Sequence, residues 1–283
     1  MTANTSAPAT HTENALVLVA GATGGVGQLT VANLIAAGYR VRVLTRDADK
    51  ANSMFAGKVD IAVGDIRQPE TLPSATSDIT HLICATGTTA LPSARWDFKI
   101  DLGSNPAEQV INWAKIYLDE DFRNRNARNT PEAVDAKGVS NLIQATPKDL
   151  KRFVFISSCG VSRTGEFPYT ILTAYGVLDA KGNGETALLR SGLPYTIIRP
   201  GQLTDGPYTS RDFNTLIQAS TDSKLGVVVE TGESVNGQSS RIDIAAACVE
   251  CLTIPAAENK AFEIVNKGER PAVIDWPQLF LAA

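Results

Sequence analysis

The sequence predicts an α/β fold, a doubly wound and mostly parallel sheet covered by helices on both faces, with a small lobe added near the C-terminus. Three observations predict it. Short runs rich in Val, Ile and Leu, at 15–20, 40–45, 59–63, 81–85, 152–157, 195–198 and 262–265, alternate with helical stretches, and their lack of polar alternation is that of strands buried on both faces. The first run leads straight into a glycine cluster and then into a helical stretch. No linker divides the 283 residues and no repeat with a period of roughly 20–50 residues appears, so the chain reads as one large unit.

Composition removes several function classes. Lys and Arg total 26 against 30 Asp and Glu, a formal net charge of −4, which does not suit a protein that binds nucleic acid by neutralising phosphates. The longest apolar run, near residues 15–22, is strand length, far short of the roughly 18–20 residues of a membrane span. Two histidines, His11 and His81, exclude most His-based metal sites and Ser-His-Asp triads, and no metal is expected. Four cysteines make no disulfide framework, so a reducing compartment is expected. Residues 1–14 lack Lys, Arg and an apolar core segment, and read as a disordered tail of a cytoplasmic protein rather than a targeting signal.

The first strand, from Ala15, ends in Gly21-Ala22-Thr23-Gly24-Gly25-Val26-Gly27, and a helix over 28–37 follows and stops at Gly38. Gly21 permits a sharp turn, Gly24 removes the Cβ that would keep a pyrophosphate from the backbone, and Gly27 lets the helix pack close to the strand. The free N–H groups and dipole of the helix start then attract the phosphates. Thr23, Gly25 and Val26 complete the loop. The second strand ends Val43-Leu44-Thr45-Arg46-Asp47. A carboxylate at this tip would hold a ribose 2′-hydroxyl, whereas a guanidinium suits a 2′-phosphate. Arg46 therefore favours NADP(H) over NAD(H), with Asp47 one residue on as a competing ribose contact.

These motifs, with Gly64-Asp65-Ile66 after the third strand, Cys84-Ala85-Thr86-Gly87 after the fourth, Ser157-Ser158 after the fifth and Tyr195-Thr196-Ile197-Ile198-Arg199-Pro200-Gly201 at the sixth, resemble an atypical short-chain dehydrogenase/reductase. The branch is the NmrA-like, NAD(P)-binding one of cyanobacterial and chloroplast type, and the fold it implies is Rossmann-like. The resemblance implies that Asp65 and Ile66 flank the adenine, that Ala85 and Thr86 line the ribose and pyrophosphate path, and that Pro200 and Gly201 lie beside the nicotinamide. All these positions follow the carboxyl ends of parallel strands, where ligands of such sheets bind. Asp65 is equally well placed to cap a helix.

The family's usual acid/base is a Tyr four residues before a Lys, which lowers the phenol pKa and binds the nicotinamide ribose. Lys181 matches the Lys, but Val177 stands at the Tyr position. Tyr175 is six residues before Lys181, and a two-residue offset rotates a helical side chain by about 200°. It would serve only if the helix, expected over 173–191, began after it. Lys181 remains the ribose-binding and catalytic candidate, with an exposed Lys paired to Glu185 as the alternative. Ser158, with Ser157, stands where the family's hydroxyl that polarises a carbonyl belongs, with a Ser pair that caps a turn as the alternative. Gly182 and Gly184 suggest that a ligand or another backbone approaches that helix.

Cys248 and Cys251 are read as buried helix residues, Cys84 as core, and Cys159 as a thiol near the crevice. Residues 97–129 form an insertion that plant relatives, by the resemblance, lack. Asn105-Pro106-Ala107-Glu108 has the form of a helix start, and Ala107, Val110, Ile111, Ala114, Tyr117 and Leu118 then share a face. The helix of 105–122 is expected to pack on its own domain, to cover the nicotinamide side or to dock a partner protein. Arg123, Arg125 and Arg128 are read as solvated. Residues 202–260 form the substrate-side elaboration. Two functions are expected: an NADPH-dependent oxidoreductase on an unknown small substrate, or a non-catalytic NADP(H)-binding sensor or assembly protein that uses 97–129. By resemblance alone, a place peripheral to a photosynthetic membrane is the alternative to a cytoplasmic one.

Overall fold

A computed structural model describes residues 15–102, 105–208, 219–233 and 235–283; the tail expected over 1–14 lies outside them. Its strands are β1 (Leu16–Ala20), β2 (Arg40–Thr45), β3 (Asp60–Val63), β4 (His81–Cys84), β5 (Arg152–Ile156), β6 (Tyr195–Pro200), β7 (Gln202–Thr204), β8 (Leu225–Glu230), β9 (Gln238–Ser240) and β10 (Lys260–Glu269). They form one sheet in the order β3-β2-β1-β4-β5-β6-β10-β9-β7, with β8 paired to β10. The pairs from β3 through β6 to β10 are parallel. β8 and β9 run antiparallel to β10, so the strands of the expected lobe extend the main sheet. The order reverses between β1 and β4, the switch point outside which ligands of such sheets bind.

β1 shows why the sequence reads as an unbroken apolar run. Val17 and Val19 face one core and Leu16, Leu18 and Ala20 the other, as the two-residue period of a strand requires. The first core also takes the helices Gly25–Ala36 and Arg241–Glu250 and the C-terminal helix Trp276–Ala282. The second takes Val139–Ala145 and the helix Val177–Leu189.

Two helices differ from expectation. The stretch at 130–145 begins as a π-helix, Glu132–Gly138, before continuing as α. The stretch at 173–191 is split: a short helix, Tyr169–Thr173, ends before Gly176, whose φ of +77° breaks the run, and the main helix is Val177–Leu189.

In the insertion, the helix Pro106–Leu118 starts as its residues predict, with the Asn105 side chain accepting from Glu108 N. The face turned inward is rotated from the expected one, of which only Tyr117 packs on the domain. Ile116 is fully buried and Trp113 partly, while Val110, Ile111 and Leu118 stay exposed. The reason is an aromatic ladder: Trp113 meets Phe98 and Tyr117, and Tyr117 meets Tyr175. Arg123, expected in solvent, is 6% exposed; it donates to Ile116 O at 3.0 Å and lies 5.1 Å from the Tyr175 ring.

Candidate functional site

At the β1 end, Gly21 turns the chain with φ +83°, and any Cβ there would stand 2.6 Å from the carbonyl of Ala85. A Cβ on Gly27 would collide with the Gly21 carbonyl oxygen. The helix start at Gly24 has no side-chain cap, so the first-turn N–H groups lack the side-chain oxygen that usually satisfies them. That uncapped start, cleared of side chains by glycine, fits a diphosphate. Pro207 and Arg241 close over the loop: a Cβ on Gly25 would meet Pro207 O at 2.6 Å and the Arg241 side chain at 3.0 Å. Arg241 is anchored by its bond to Asp205 O and lies against the Tyr208 ring.

At the β2 tip the neighbours Arg46 and Asp47 divide. Arg46 is exposed. Asp47 is committed to the start of helix Ala48–Phe55, accepting from Lys50 N at 2.9 Å. Beyond β3, Asp65 caps a turn rather than a helix, accepting from Arg67 N at 3.0 Å. Arg67 also grips both carboxylate oxygens with its guanidinium and donates onward to Arg128 O in the insertion. Burial disfavours the Asp65 charge, but the Arg67 hydrogen bonds and charge, helped by Arg46, outweigh it and hold the carboxyl below its ordinary value. The Ile66 side chain turns inward onto Gly138 and is 6% exposed, and its carbonyl accepts from Asn141 Nδ2 at 2.9 Å.

Past β4 and β5 the crevice is made of charged side chains. Lys181 is buried, which removes the reading of an exposed residue paired with Glu185. Its Nζ donates to Thr86 O at 3.1 Å and Ile156 O at 2.9 Å, and stands 2.9 Å from Asp135 Oδ1. Two carbonyls thus take hydrogen bonds from the ammonium, and the Asp135 carboxylate pairs with its charge. Asp135, wholly buried, takes Thr88 N and Thr88 Oγ1 on its other oxygen. Gly87 lies over the pair. Gly184 is needed because Asp135 O approaches it: a Cβ there would stand 2.6 Å away, so the close neighbour is backbone.

Glu185 instead holds Arg199, which also reaches Glu233. Ser158 Oγ donates to Cys159 O at 3.0 Å. Ser157 is 4% exposed and its Oγ makes no hydrogen bond among the described residues. Cys159 is buried and its thiol is pushed up to about 12, first by burial and then by Glu263, so it is no activated nucleophile. Cys84, Cys248 and Cys251 are buried, with raised thiol pKa values that burial explains first. Pro200 ends β6, and Gly201 N donates to Ser239 Oγ at 2.8 Å. The helix does start after Tyr175, but Tyr117 and Arg123 of the insertion occupy that ring.

Sequence reasoning missed Asp135, Arg67 and the loop at Pro207. For Asp135 a local signal existed: a carboxylate flanked directly by Val134 and Ala136.

The sequence profile of NAD(P)H-binding proteins matches residues 21–255. The chain belongs to the NAD(P)H-binding family. Sanguinarine reductase of Eschscholzia californica is 32% identical over 93% of this chain and 94% of its own length. The chloroplast protein TIC 62 of rice is 30% identical over 77% of this chain, which spans only 41% of that protein. The photosystem II assembly factor Ycf39 of Trieres chinensis is 26% identical over 87% of this chain and 62% of its own length. These relatives agree with the chloroplast-type branch of atypical short-chain dehydrogenases/reductases, a reductase-like group within the NAD(P)H-binding family. Solved structures share the fold: ChuY, an anaerobilin reductase from Escherichia coli, at TM-score 0.62 and 20% identity over 91% of this chain and all of that one, and a short-chain dehydrogenase/reductase from Veillonella parvula in complex with NADP, at 0.57 and 14% over 92% and 99%. No helix among the described residues is long and apolar enough to cross a membrane.

Proposed function

We propose that this chain is an NADP(H)-dependent oxidoreductase acting on a small organic substrate. The observation that carries the cofactor preference is the division of labour at the β2 tip: one carboxylate oxygen of Asp47 caps the following helix, while the neighbouring guanidinium of Arg46 stands exposed. A guanidinium favours a 2′-phosphate over a bare ribose hydroxyl. The main chain of residues 21–27 holds the diphosphate, with Asp65, Ile66, Ala85 and Thr86 along the adenosine side and Pro200 at the far end. Bound NADPH supplies a hydride from its nicotinamide ring.

Lys181 acts here as a positioning residue. Its ammonium ties the ends of β4 and β5 to the helix that carries it through two carbonyls, and its charge is paired with Asp135. The hydroxyl offered to the substrate is that of Ser157, buried and without a hydrogen-bond partner among the described residues, since a buried hydroxyl pays for an unmade hydrogen bond unless a ligand completes it. Ser158 is its neighbour at the same strand end. The match to a reductase over nearly the full length of both chains supports turnover.

The second reading, an NADP(H)-binding sensor or assembly protein held against a photosynthetic membrane, is favoured by the insertion, which occupies Tyr175 and leaves an apolar face exposed. Steady-state oxidation of NADPH against a panel of carbonyls, enones, iminium ions and quinones separates the two. Turnover that falls in Ser157→Ala, with NADPH affinity unchanged, is the expected result; no oxidation with any of them, by a protein that binds NADPH, selects the second reading.

A further inference from the structure

We propose that the exposed face of the insertion helix pairs with the same helix of a second copy of this chain, antiparallel about a two-fold axis. The inference is independent of whether the crevice turns over. The helix Pro106–Leu118 attaches to its own domain by one side only, through Trp113, Ile116 and Tyr117. At about 100° per residue, Ala107, Ile111, Ala114 and Leu118 lie on the side opposite Ile116, and Val110 borders them on the edge next to Tyr117. All five are exposed, Leu118 to 87% and Val110 to 70%.

The spacing of those four residues, four then three then four, is that of the seam of a two-stranded coil. It is also self-complementary. Reversing one copy against the other sets Ala107 opposite the second copy's Leu118, and Ile111 opposite its Ala114, so each layer joins a small side chain to a large one. The flank supplies charge complementarity in the same register. Glu108 and Lys115, both exposed, are seven residues apart and share one edge of the seam. Antiparallel pairing brings like-lettered flanks together, so Glu108 of each copy meets Lys115 of the other. A parallel pair would not make these contacts. In the isolated chain Lys115 only rests over the Phe122 ring, 5.6 Å from its centre, a surface contact that is readily exchanged.

A helix of about 20 Å buries less than the roughly 800 Å² per partner of a standard stable interface. The dimer is therefore weak and concentration-dependent, and an isologous patch of this kind closes on itself without forming filaments.

Sedimentation velocity of the full chain, from low micromolar to near-millimolar concentration, tests the proposal. Wild type shifts from monomer to dimer across the range. Ile111→Asp and Leu118→Asp stay monomeric at every concentration while melting as wild type does, because neither side chain is part of the core. Glu108→Lys and Lys115→Glu each weaken the dimer by about tenfold, and the double exchange restores it. A monomer throughout overturns the proposal. So does a dimer that survives Ile111→Asp, or a double exchange no tighter than its singles. A wild-type chain whose stripe is covered only by a different protein overturns it too.

Discussion

At its phosphate end, between β1 and the helix Gly25–Ala36, the crevice is lined by main chain, whereas beyond β4 and β5 it is lined by buried charged side chains. The first wall is defined by where a Cβ is forbidden, at Gly21 and Gly27. The second is defined by pairs that meet from distant parts of the sequence: Asp135 with Lys181, and Glu185 with Arg199. A wall of backbone tolerates loss of any one side chain and fails on gain of one. A wall of paired charges fails on loss of one member.

The largest effect expected from this contrast is on folding. Asp135→Ala leaves the Lys181 ammonium buried without its counter-charge, and is expected to lower stability by about 3–5 kcal/mol, read by chemical denaturation. The double variant Asp135→Leu, Lys181→Met recovers most of it. A single variant as stable as wild type would mean that the pair contributes nothing. At the other wall, Gly27→Ala forces the helix off Gly21 and is expected to weaken NADPH and NADH alike by about 100-fold, roughly 2.7 kcal/mol, in calorimetric titration; unchanged affinity would show that the loop does not hold the cofactor.

A smaller and selective effect comes from Arg46→Ala, which is expected to weaken NADPH about tenfold, near 1.4 kcal/mol, and NADH hardly at all. Equal weakening removes the case for the 2′-phosphate. The smallest is a pH effect. The Asp65 carboxyl is held below its ordinary value by Arg67 against the opposing effect of burial, so its contribution to stability is complete above about pH 4 and is lost as pH falls through the depressed folded value. Arg67→Ala should move the acid limb of the stability curve to higher pH, and an unmoved limb would show that the pair is balanced by its own desolvation.

The same contrast explains what the sequence made legible. Parallel strands buried on both faces print as plain apolar runs, and six of the seven expected strands lie in the series from β1 to β6, the seventh in β10. The glycine loop was readable because its spacing is set by local clashes. The pairing of Asp135 with Lys181 was not, because the two lie far apart along the chain and nothing in the spacing links them. The helix Pro106–Leu118 was found from its capping residues, but of the apolar face expected from hydrophobicity only Tyr117 turns inward. What turned it was the aromatic ladder from Phe98 to Tyr175, in which Trp113 and Tyr117 bring polar atoms as well as apolar area. Arg123 was misread for a related reason: a guanidinium stacked on a ring and bonded to a carbonyl can lie inside.

Because β8, β9 and β7 are hydrogen-bonded into the edge that begins at β10, the described part of the C-terminal elaboration has no hinge separating it from the nucleotide-binding half. A two-lobed enzyme can swing shut on its ligand; here such a swing would tear a ladder of main-chain bonds. Access to the interior is thus governed by the connecting loops at the strand ends, over a frame that stays still.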